Sequence, residues 1–278
     1  MTIFYLLVKK LLMSKTHQYM QFAKKYGPFA LVAGGSDGLG AAFAEALAQR
    51  GLNLVLIARN KERLEATAAR IREKYKIDVI SIAADMAEFE NVKKHVNDLQ
   101  VSVGLLVYNA AYAPIGLFEN TSEEHLSLAS AVNVKAPLLL AKLLSEQMIK
   151  NKRGGIVLMS SLAGAQGSPN LAAYAATKAF NAVLAEGLWK ELKPHGIDVI
   201  GCCAGAILTP GYKEAEKTKP APGTMTAGNV AETTLKNLGK GPIVVPGGVN
   251  KFARFLFTRL LSKKAAIDIM SKNTGGLS

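Results

Sequence analysis

The stretch AGGSDGLG, residues 33–40, has glycine at four of its eight positions. It follows the apolar run FALV (29–32) and precedes AAFAEAL (41–47), a helix-like pattern. A glycine-rich turn from strand to helix brings backbone N–H groups close to a diphosphate, at the positive end of a helix dipole. The sequence therefore predicts a nucleotide-binding turn after the first strand.

The spacing of these glycines is Gly34-x-x-x-Gly38-x-Gly40, which differs from the common G-x-G-x-x-G pattern and from a mononucleotide P-loop. In such a turn Gly34 permits the tight bend and Gly38 lets the backbone approach the phosphates. Gly40 lets the following helix pack closely on the sheet. A purely structural glycine turn is the alternative reading.

The rest of the chain alternates apolar runs with amphipathic helical patterns. Near-continuous apolar strands between helices are typical of a parallel sheet covered on both faces, so we predict a single doubly wound α/β domain of Rossmann type with about seven strands. The predicted strands are FALVAG (29–34), LNLVLIA (52–58), DVISIAA (78–84), VGLLVYNA (103–110), GGIVLMSS (154–161), IDVIGCCAG (197–205) and PIVVPG (242–247).

We divide the 278 residues into an N-terminal helical extension (1–26), the α/β domain (27–248) and a basic amphipathic C-terminal extension (249–278). Residues 209–229 are rich in Pro, Gly, Lys and Thr and follow the sixth strand, which is where a mobile lid over a ligand would lie. Residues 249–264 have apolar residues at helical spacing, flanked by Lys and Arg. That face is expected to pack on its own domain or a second subunit, or else to touch a membrane or an apolar substrate.

The formal net charge of +13 is spread along the chain without a zinc-finger, basic-zipper or RNA-binding signature, so nucleic-acid binding is not expected. The four histidines show no metal-ligand spacing, and no metal site is predicted. The two cysteines, Cys202 and Cys203, are adjacent and point to opposite faces of a strand, which indicates buried thiols in a reducing cytoplasm. The N-terminal apolar run is too short to span a bilayer, although peripheral membrane contact is compatible with it.

The second predicted strand ends in Ala58-Arg59 and carries no acidic residue. In dinucleotide folds an acid at this point binds the ribose 2′-hydroxyl of NAD, whereas an arginine accommodates the 2′-phosphate of NADP. We therefore expect NADP(H), with NAD(H) as the alternative.

Tyr174 and Lys178 are one helical turn apart and share a face. A phenol loses its proton near pH 10, and a neighbouring ammonium pulls that pKa toward neutrality, so the pair is suited to acid–base chemistry. Ser161, at the carboxyl end of the preceding strand, is placed to hold a substrate oxygen.

These motifs together resemble the short-chain dehydrogenase/reductase family over roughly residues 27–247. The resemblance implies that Tyr174 transfers a proton, Lys178 lowers its pKa and binds the coenzyme ribose, and Ser161 positions the carbonyl. It further implies that Asn133 supports a proton relay and that Asp85 contacts the adenine. The expected coenzyme-binding residues are Gly34, Ser36, Asp37, Gly38, Leu39, Gly40, Arg59, Asp85, Met86, Asn109, Ala110, Tyr174, Lys178, Gly205, Ile207 and Thr209.

The chain departs from the family pattern at Ala33, Tyr108, Ala111 and Ala204, which replace Thr, Asn, Gly and Pro. The opening KYGPFALVAGGSDGLG is most similar to the branch of 3-oxoacyl-CoA and 17β-hydroxysteroid reductases. This branch implies an apolar carbonyl or alcohol substrate and contact with a membrane, and the wider family implies a homodimer or homotetramer. With the cytoplasm indicated by the cysteines, we expect a cytoplasmic protein that can associate peripherally with a membrane. The alternatives are an NAD(H)-dependent alcohol dehydrogenase and a non-catalytic NADP(H)-binding sensor or scaffold.

Overall fold

The structure, a computed structural model, describes residues 16–209 and 221–274. The first part of the predicted N-terminal extension (1–15), the middle of the predicted lid (210–220) and the last four residues lie outside the described residues.

Seven parallel strands form the central sheet, in the order β3-β2-β1-β4-β5-β6-β9. The predicted fold class is confirmed, and the first six strands follow the order of a dinucleotide-binding sheet. The strands are β1 (Phe29–Ala33), β2 (Asn53–Ala58), β3 (Val79–Ala83), β4 (Val103–Tyr108), β5 (Gly154–Ser161), β6 (Ile197–Ala204) and β9 (Ile243–Val244), and a separate pair is formed by β7 (Ile207–Leu208) and β8 (Met225–Thr226).

Helices cover both faces of the sheet. They are α1 (16–26), α2 (Gly38–Ala48), α3 (Lys61–Tyr75), α4 (Phe89–Asn97), α5 (Glu123–Ser130), α6 (Ala136–Lys150), α7 (Ala172–Leu192), α8 (Ala227–Asn237), α9 (Gly248–Phe255) and α10 (Lys263–Thr274). Alternate strand residues belong to two hydrophobic cores, one on each face of the sheet. Val32 and Leu56 pack toward α2 and α3, whereas Leu31 and Val55 pack toward α6. This alternation follows from the two-residue period of a strand.

The helix α1 packs on the domain at the amino edge of the sheet. Phe22 contacts the core, and the Tyr26 hydroxyl donates to the Asp198 carboxylate at 2.6 Å. Burial, followed by this carboxylate, raises the pKa of Tyr26. The described part of the N-terminal extension is therefore a structural element of the domain.

The carboxyl-terminal part of the predicted lid has regular secondary structure. Residues Met225–Thr226 form β8, which pairs with β7, and α8 begins at Ala227. The Thr226 hydroxyl accepts from the Asn229 N–H at 3.3 Å and caps this helix. Residues 225–229 are therefore held by regular hydrogen bonds.

The C-terminal amphipathic segment is two helices, where the sequence pattern at 249–264 indicated one. After α9 a π-helical turn runs over Leu256–Leu260, and the chain becomes extended at Leu261. The Ser262 hydroxyl then accepts from the Ala265 N–H at 3.2 Å and starts α10. A serine cap competes with helix continuation, which the hydrophobic period alone does not show.

The orientation of α9 also differs from the expectation that its apolar face packs on the domain. Its polar residues point inward: Asn250 is buried and its side-chain amide donates to the Gly223 and Pro246 carbonyls, both at 3.0 Å. Arg254 donates to the Cys203 sulfur at 2.6 Å. The apolar residues Val249, Phe252 and Phe255 are exposed.

Candidate active site

The glycine turn after β1 is closely packed. Gly34 has φ +78° and its N–H donates to the Ile57 carbonyl at 2.8 Å. A Cβ at Gly40 would lie 1.8 Å from the Gly34 carbonyl oxygen. Glycine is therefore required at Gly40 so that α2 can start directly against the turn, as the sequence predicted.

A cavity of about 640 Å³ opens above this turn, at the carboxyl ends of the strands. Its size suits a dinucleotide, and the backbone of the glycine turn forms its floor. Fifteen of the sixteen predicted coenzyme residues line the cavity, and Gly40 lies beneath it. The fifteen are Gly34, Ser36, Asp37, Gly38, Leu39, Arg59, Asp85, Met86, Asn109, Ala110, Tyr174, Lys178, Gly205, Ile207 and Thr209.

The cavity also contains residues that the sequence analysis missed. Arg63, on the first turn of α3, lines it together with Asn60, whose side chain caps that helix by accepting from the Arg63 N–H at 2.8 Å. A helix that begins at residue 61 places Arg63 in its first turn, close to Arg59, so the sequence contained a signal for this second arginine. The other missed lining residues are Ile57, Ala58, Ala84, Tyr112, Val132, Met159 and Ser160. Ala111 and Ala204, two of the departures from the family pattern, line the cavity as well.

Two guanidinium groups thus flank the end of β2. Arg59 lies 3.9 Å from the Asp85 carboxylate, and Arg63 lies 3.8 Å from that of Asp37. Both arginine side chains are largely exposed, and both ion pairs are long. Such loose pairs contribute little to stability and leave the cations available to an anionic ligand.

Ser161 and Tyr174 form the reactive end of the cavity. The Ser161 hydroxyl bonds to the Tyr174 phenol, which lowers its pKa, but burial has the larger effect, and the net result is a raised pKa. The neighbouring Ser160 hydroxyl donates instead to the Lys178 carbonyl at 2.7 Å. The choice of Ser161 over Ser160 therefore agrees with the geometry.

Lys178 is held next to the phenol by a bond to the backbone. Its ammonium donates to the Met159 carbonyl at 3.0 Å and lies 5.5 Å from the centroid of the Tyr174 ring. Burial lowers the pKa of Lys178 to about 8, and burial is also the main cause of the raised pKa of Tyr174. The phenol is therefore protonated at neutral pH, which suits a proton donor.

Asn133 does not line the cavity; it is completely buried in a π-helical turn, Ala131–Lys135. Its side-chain amide accepts from the Tyr112 N–H at 2.8 Å and donates to the Tyr112 carbonyl at 2.6 Å. Its backbone carbonyl accepts from the side-chain amide of Asn181 at 2.9 Å. Asn133 therefore positions the wall at Tyr112, and its role in a proton relay stays a prediction.

Tyr108, a departure from the family pattern, supports the same turn. Its hydroxyl donates to the Val132 carbonyl at 2.5 Å across the end of β4. Burial raises the pKa of Tyr108, so this hydroxyl remains a donor over the working pH range. Tyr108 therefore ties the end of β4 to the turn that carries Asn133.

Comparison with known proteins places these features in context. The sequence model described as short chain dehydrogenase matches residues 28–220. The chain is 34% identical over 221 residues to the very-long-chain 3-oxoacyl-CoA reductase of Phaeosphaeria nodorum, covering 77% of this chain and 64% of that protein. It is 32% identical over 222 residues to the human protein named inactive hydroxysteroid dehydrogenase-like protein 1, covering 78% and 66%. The chain thus spans just under two thirds of the length of these curated relatives.

Two solved structures share the fold. A 7β-hydroxysteroid dehydrogenase superposes with a TM-score of 0.84 at 27% identity, covering 90% of this chain and 99% of that one. A short-chain dehydrogenase from Sphingobium yanoikuyae in complex with NADPH superposes with a TM-score of 0.73 at 28% identity, covering 90% and 95%.

Proposed function

The chain belongs to the short-chain dehydrogenase/reductase family, a family of nicotinamide-dependent oxidoreductases, and from this premise we propose that it is an NADP(H)-dependent enzyme that interconverts an apolar ketone and its alcohol. One observation carries the proposal: Ser161, Tyr174 and Lys178 line the same cavity as the glycine turn. A hydroxyl, a protonated phenol and a buried ammonium at the carboxyl ends of the strands are suited to protonating a carbonyl oxygen.

The chain's own residues bind, orient and protonate the substrate. When bound, the nicotinamide coenzyme supplies the hydride that reaches the carbonyl carbon. The Ser161 hydroxyl holds the carbonyl oxygen beside the Tyr174 phenol, which donates its proton to that oxygen. Lys178, held by the Met159 carbonyl, places a positive charge behind the phenol and stabilises the phenolate that remains.

The preference for NADP(H) is supported by Arg59 and Arg63. A 2′-phosphate is a dianion that guanidinium groups bind strongly, and these two groups lie where the adenosine ribose is bound in dinucleotide folds. The acidic residues near these arginines are Asp85, 3.9 Å from Arg59, and Asp37, 3.8 Å from Arg63. We propose that the 2′-phosphate replaces these two carboxylates as the partner of Arg59 and Arg63.

An apolar substrate is supported by the loop that follows Tyr112, a residue that lines the cavity. Ile115, Leu117 and Phe118 are exposed there, at 54%, 51% and 64%. Clustered exposed apolar side chains of this kind mark a surface for an apolar partner. The names of the relatives, a 3-oxoacyl-CoA reductase and hydroxysteroid dehydrogenases, support 3-oxoacyl or steroid-like ketones as the first substrates to test.

Peripheral membrane contact is a second part of the proposal. The outward apolar face of α9 and the following turn consists of Val249, Phe252, Phe255 and Leu260, which are between 52% and 65% exposed. Lys251, Arg259, Lys263 and Lys264 surround this face, and from 248 to 267 the chain has no acidic residue. Apolar side chains among cations are typical of helices that lie on anionic lipid surfaces.

Self-association is a third part of the proposal. Val183 on α7 and Leu138 on α6 are exposed apolar residues on helices that flank the site. A homodimer or homotetramer built on this face would cover them. The oligomeric mass of the purified protein tests this directly.

The experiment that tests the proposed function is a fluorescence titration with NADPH and, separately, NADH, followed by a carbonyl panel from 3-oxoacyl thioesters to ketosteroids. Tighter binding of NADPH and turnover of an apolar ketone are expected. Preference for NADH would favour the NAD(H)-dependent alcohol dehydrogenase. Binding without turnover of any carbonyl would favour a non-catalytic sensor or scaffold, a reading that the inactive human relative keeps open.

A further inference from the structure

The small ribbon formed by β7 and β8 lies outside the central sheet but lines the coenzyme cavity. Ile207 of β7 is a cavity residue, as are its near neighbours Gly205 and Thr209. A Cβ at Gly38 would lie 3.1 Å from the methyl carbon of Thr209, so the chain leaving β7 meets the glycine turn. The position of this ribbon therefore decides how closely the cavity surrounds a bound molecule.

The ribbon has few bonds of its own. Its two parallel strands pair at two positions, Ile207 with Met225 and Leu208 with Thr226. The Met225 N–H also donates to the Ala206 carbonyl at 3.0 Å. An isolated pair of strands is marginally stable at best in water. The ribbon therefore depends on contacts with the rest of the fold.

Asn250, in the first turn of α9, joins the ribbon to the rest of the fold. Its side-chain amide donates to the Gly223 carbonyl, two residues before β8, and to the Pro246 carbonyl, two residues after β9, both at 3.0 Å. The same amide packs on Gly205, where a Cβ would lie 2.7 Å from Oδ1. Asn250 is 4% exposed. One buried amide thus connects the segments that precede both ribbon strands to the edge strand of the central sheet.

The contacts of this amide go beyond what the start of a helix needs. The bond to Pro246 is local in the chain, but the bond to Gly223 spans 27 residues. Asparagine has two donor hydrogens on one nitrogen, and an apolar side chain of the same size would make neither bond. Glycine at 205 and 223 lets both segments approach the amide, because a side chain at either position would collide with it.

We propose that Asn250 is a positioning residue for the nicotinamide coenzyme, a role that rests on the function proposed above. Asn250 does not itself line the cavity. It holds the ribbon, and with it Gly205 and Ile207, in the place where these two residues can contact the coenzyme. Because Arg59 and Arg63 belong to other elements, Asn250 should contribute equally to the binding of NADPH and of NADH.

Coenzyme affinity is the first readout. In Asn250→Ala we expect NADPH and NADH, each titrated by nicotinamide fluorescence, to bind about tenfold more weakly, because the ribbon loses a buried hydrogen-bonded support. The KM for NADPH should rise by the same factor while kcat changes by less than about threefold, since Tyr174 lies on α7. The matched control is Asn237→Ala, whose amide donates to the Thr233 carbonyl at 2.7 Å within α8 and which should keep the wild-type affinity. Unchanged affinity in Asn250→Ala would overturn the proposal.

Gly205→Ala tests the same contact from the other side and keeps Asn250 in place. The backbone of Gly205 is outside the left-handed region, so the main obstacle to an alanine there is its collision with the amide. This variant should bind NADPH about tenfold more weakly. In the double variant with Asn250→Ala the added methyl has room, and it should weaken binding by less than about twofold beyond Asn250→Ala alone. An equal loss in both backgrounds would show that Gly205 acts independently of Asn250 and would overturn the proposal.

Hydrogen exchange in the coenzyme-free chain gives a readout that needs no ligand. The Met225 N–H should exchange about tenfold faster in Asn250→Ala, relative to the Leu54 N–H, a buried amide of β2 that bonds to the Asp78 carbonyl at 2.9 Å. Equal acceleration of both amides would reveal a loss of overall stability alone and would overturn the proposal. A wild type that binds neither coenzyme would overturn the proposed function as well, whereas coenzyme binding that is unaltered in both variants would overturn only the role of Asn250.

Discussion

The ammonium of Lys178 lies over the ring of Tyr174, 5.5 Å from its centroid, and is tethered to the Met159 carbonyl rather than to the phenol. The positive charge of Lys178 therefore acts on the phenol of Tyr174 through space and not through a direct hydrogen bond. Burial raises the pKa of Tyr174 and lowers the pKa of Lys178 to about 8. The acid and the cation that stabilises its conjugate base thus coexist below about pH 8.

The pH profile should report the titration of Lys178. Because burial lowers its pKa from 10.5 to about 8, the free enzyme loses the positive charge above pH 8. We expect kcat/KM for the coenzyme to be level below this pH and to fall about tenfold per unit above it. Lys178→Arg, with a guanidinium that stays charged, should remove the fall. A level profile between pH 7 and 9.5 in the wild type would contradict the assignment.

Removing the phenol should separate catalysis from binding. In Tyr174→Phe we expect the rate of ketone reduction to fall by about a thousandfold, because a positioned general acid contributes on that order. NADPH affinity, measured by nicotinamide fluorescence, should change by less than about twofold. The matched control is Tyr75→Phe, whose hydroxyl bonds to Glu45 at 3.1 Å away from the cavity. Comparable turnover in Tyr174→Phe would disprove the role of this residue.

The two arginines at the end of β2 should discriminate between the coenzymes. Arg59→Ala and Arg63→Ala should each weaken NADPH binding by about tenfold, because a charge-assisted bond to a phosphate is lost, and should leave NADH binding nearly unchanged. Arg70→Ala, further along α3 and paired with Glu45 at 3.2 Å, is the control. Equal losses for NADPH and NADH would show that the arginines do not contact a 2′-phosphate.

A methyl group at Gly40 should disrupt the turn. Because its Cβ would lie 1.8 Å from the Gly34 carbonyl oxygen, Gly40→Ala forces α2 away from the sheet. We expect a loss of about 3 kcal/mol or more in the free energy of unfolding, measured in urea, together with weaker coenzyme binding. Gly187→Ala, in the exposed interior of α7 with open space around it, should instead stabilise by about 0.5–1 kcal/mol.

The exposed face of α9 should bind vesicles that contain phosphatidylserine. Replacing Phe252 and Phe255 with Ser should lower the fraction that sediments with the vesicles, because each buried phenyl ring contributes about 1.5–3 kcal/mol. High salt should weaken the binding further by screening the lysines. Met20→Ser, at an exposed residue of α1, should have no effect. Equal sedimentation of all three proteins would exclude this face as the contact.

Much of this architecture could be predicted from the sequence because its signals are local. Apolar runs gave the strands, and the glycine spacing and Tyr174-x-x-x-Lys178 located the cavity. The placement of Arg63 depends on the rotation of α3 relative to the sheet, which no local pattern encodes. The partner of the Asn133 carbonyl, Asn181, lies 48 residues away along the chain. Periodicity identified the apolar face of α9 but not which way it points, since Asn250 and Arg254 find buried partners that only the folded chain provides.

The attachment of α1 also has a practical consequence. The hydroxyl of Tyr19 bonds to Gln49 at the end of α2, and Tyr26 bonds to Asp198 at the start of β6. Both contacts lie at the edge of the sheet opposite to the coenzyme cavity. A sensor surface or bead coupled through α1 would therefore hold every molecule in one orientation, with the cavity mouth facing the flowing solution.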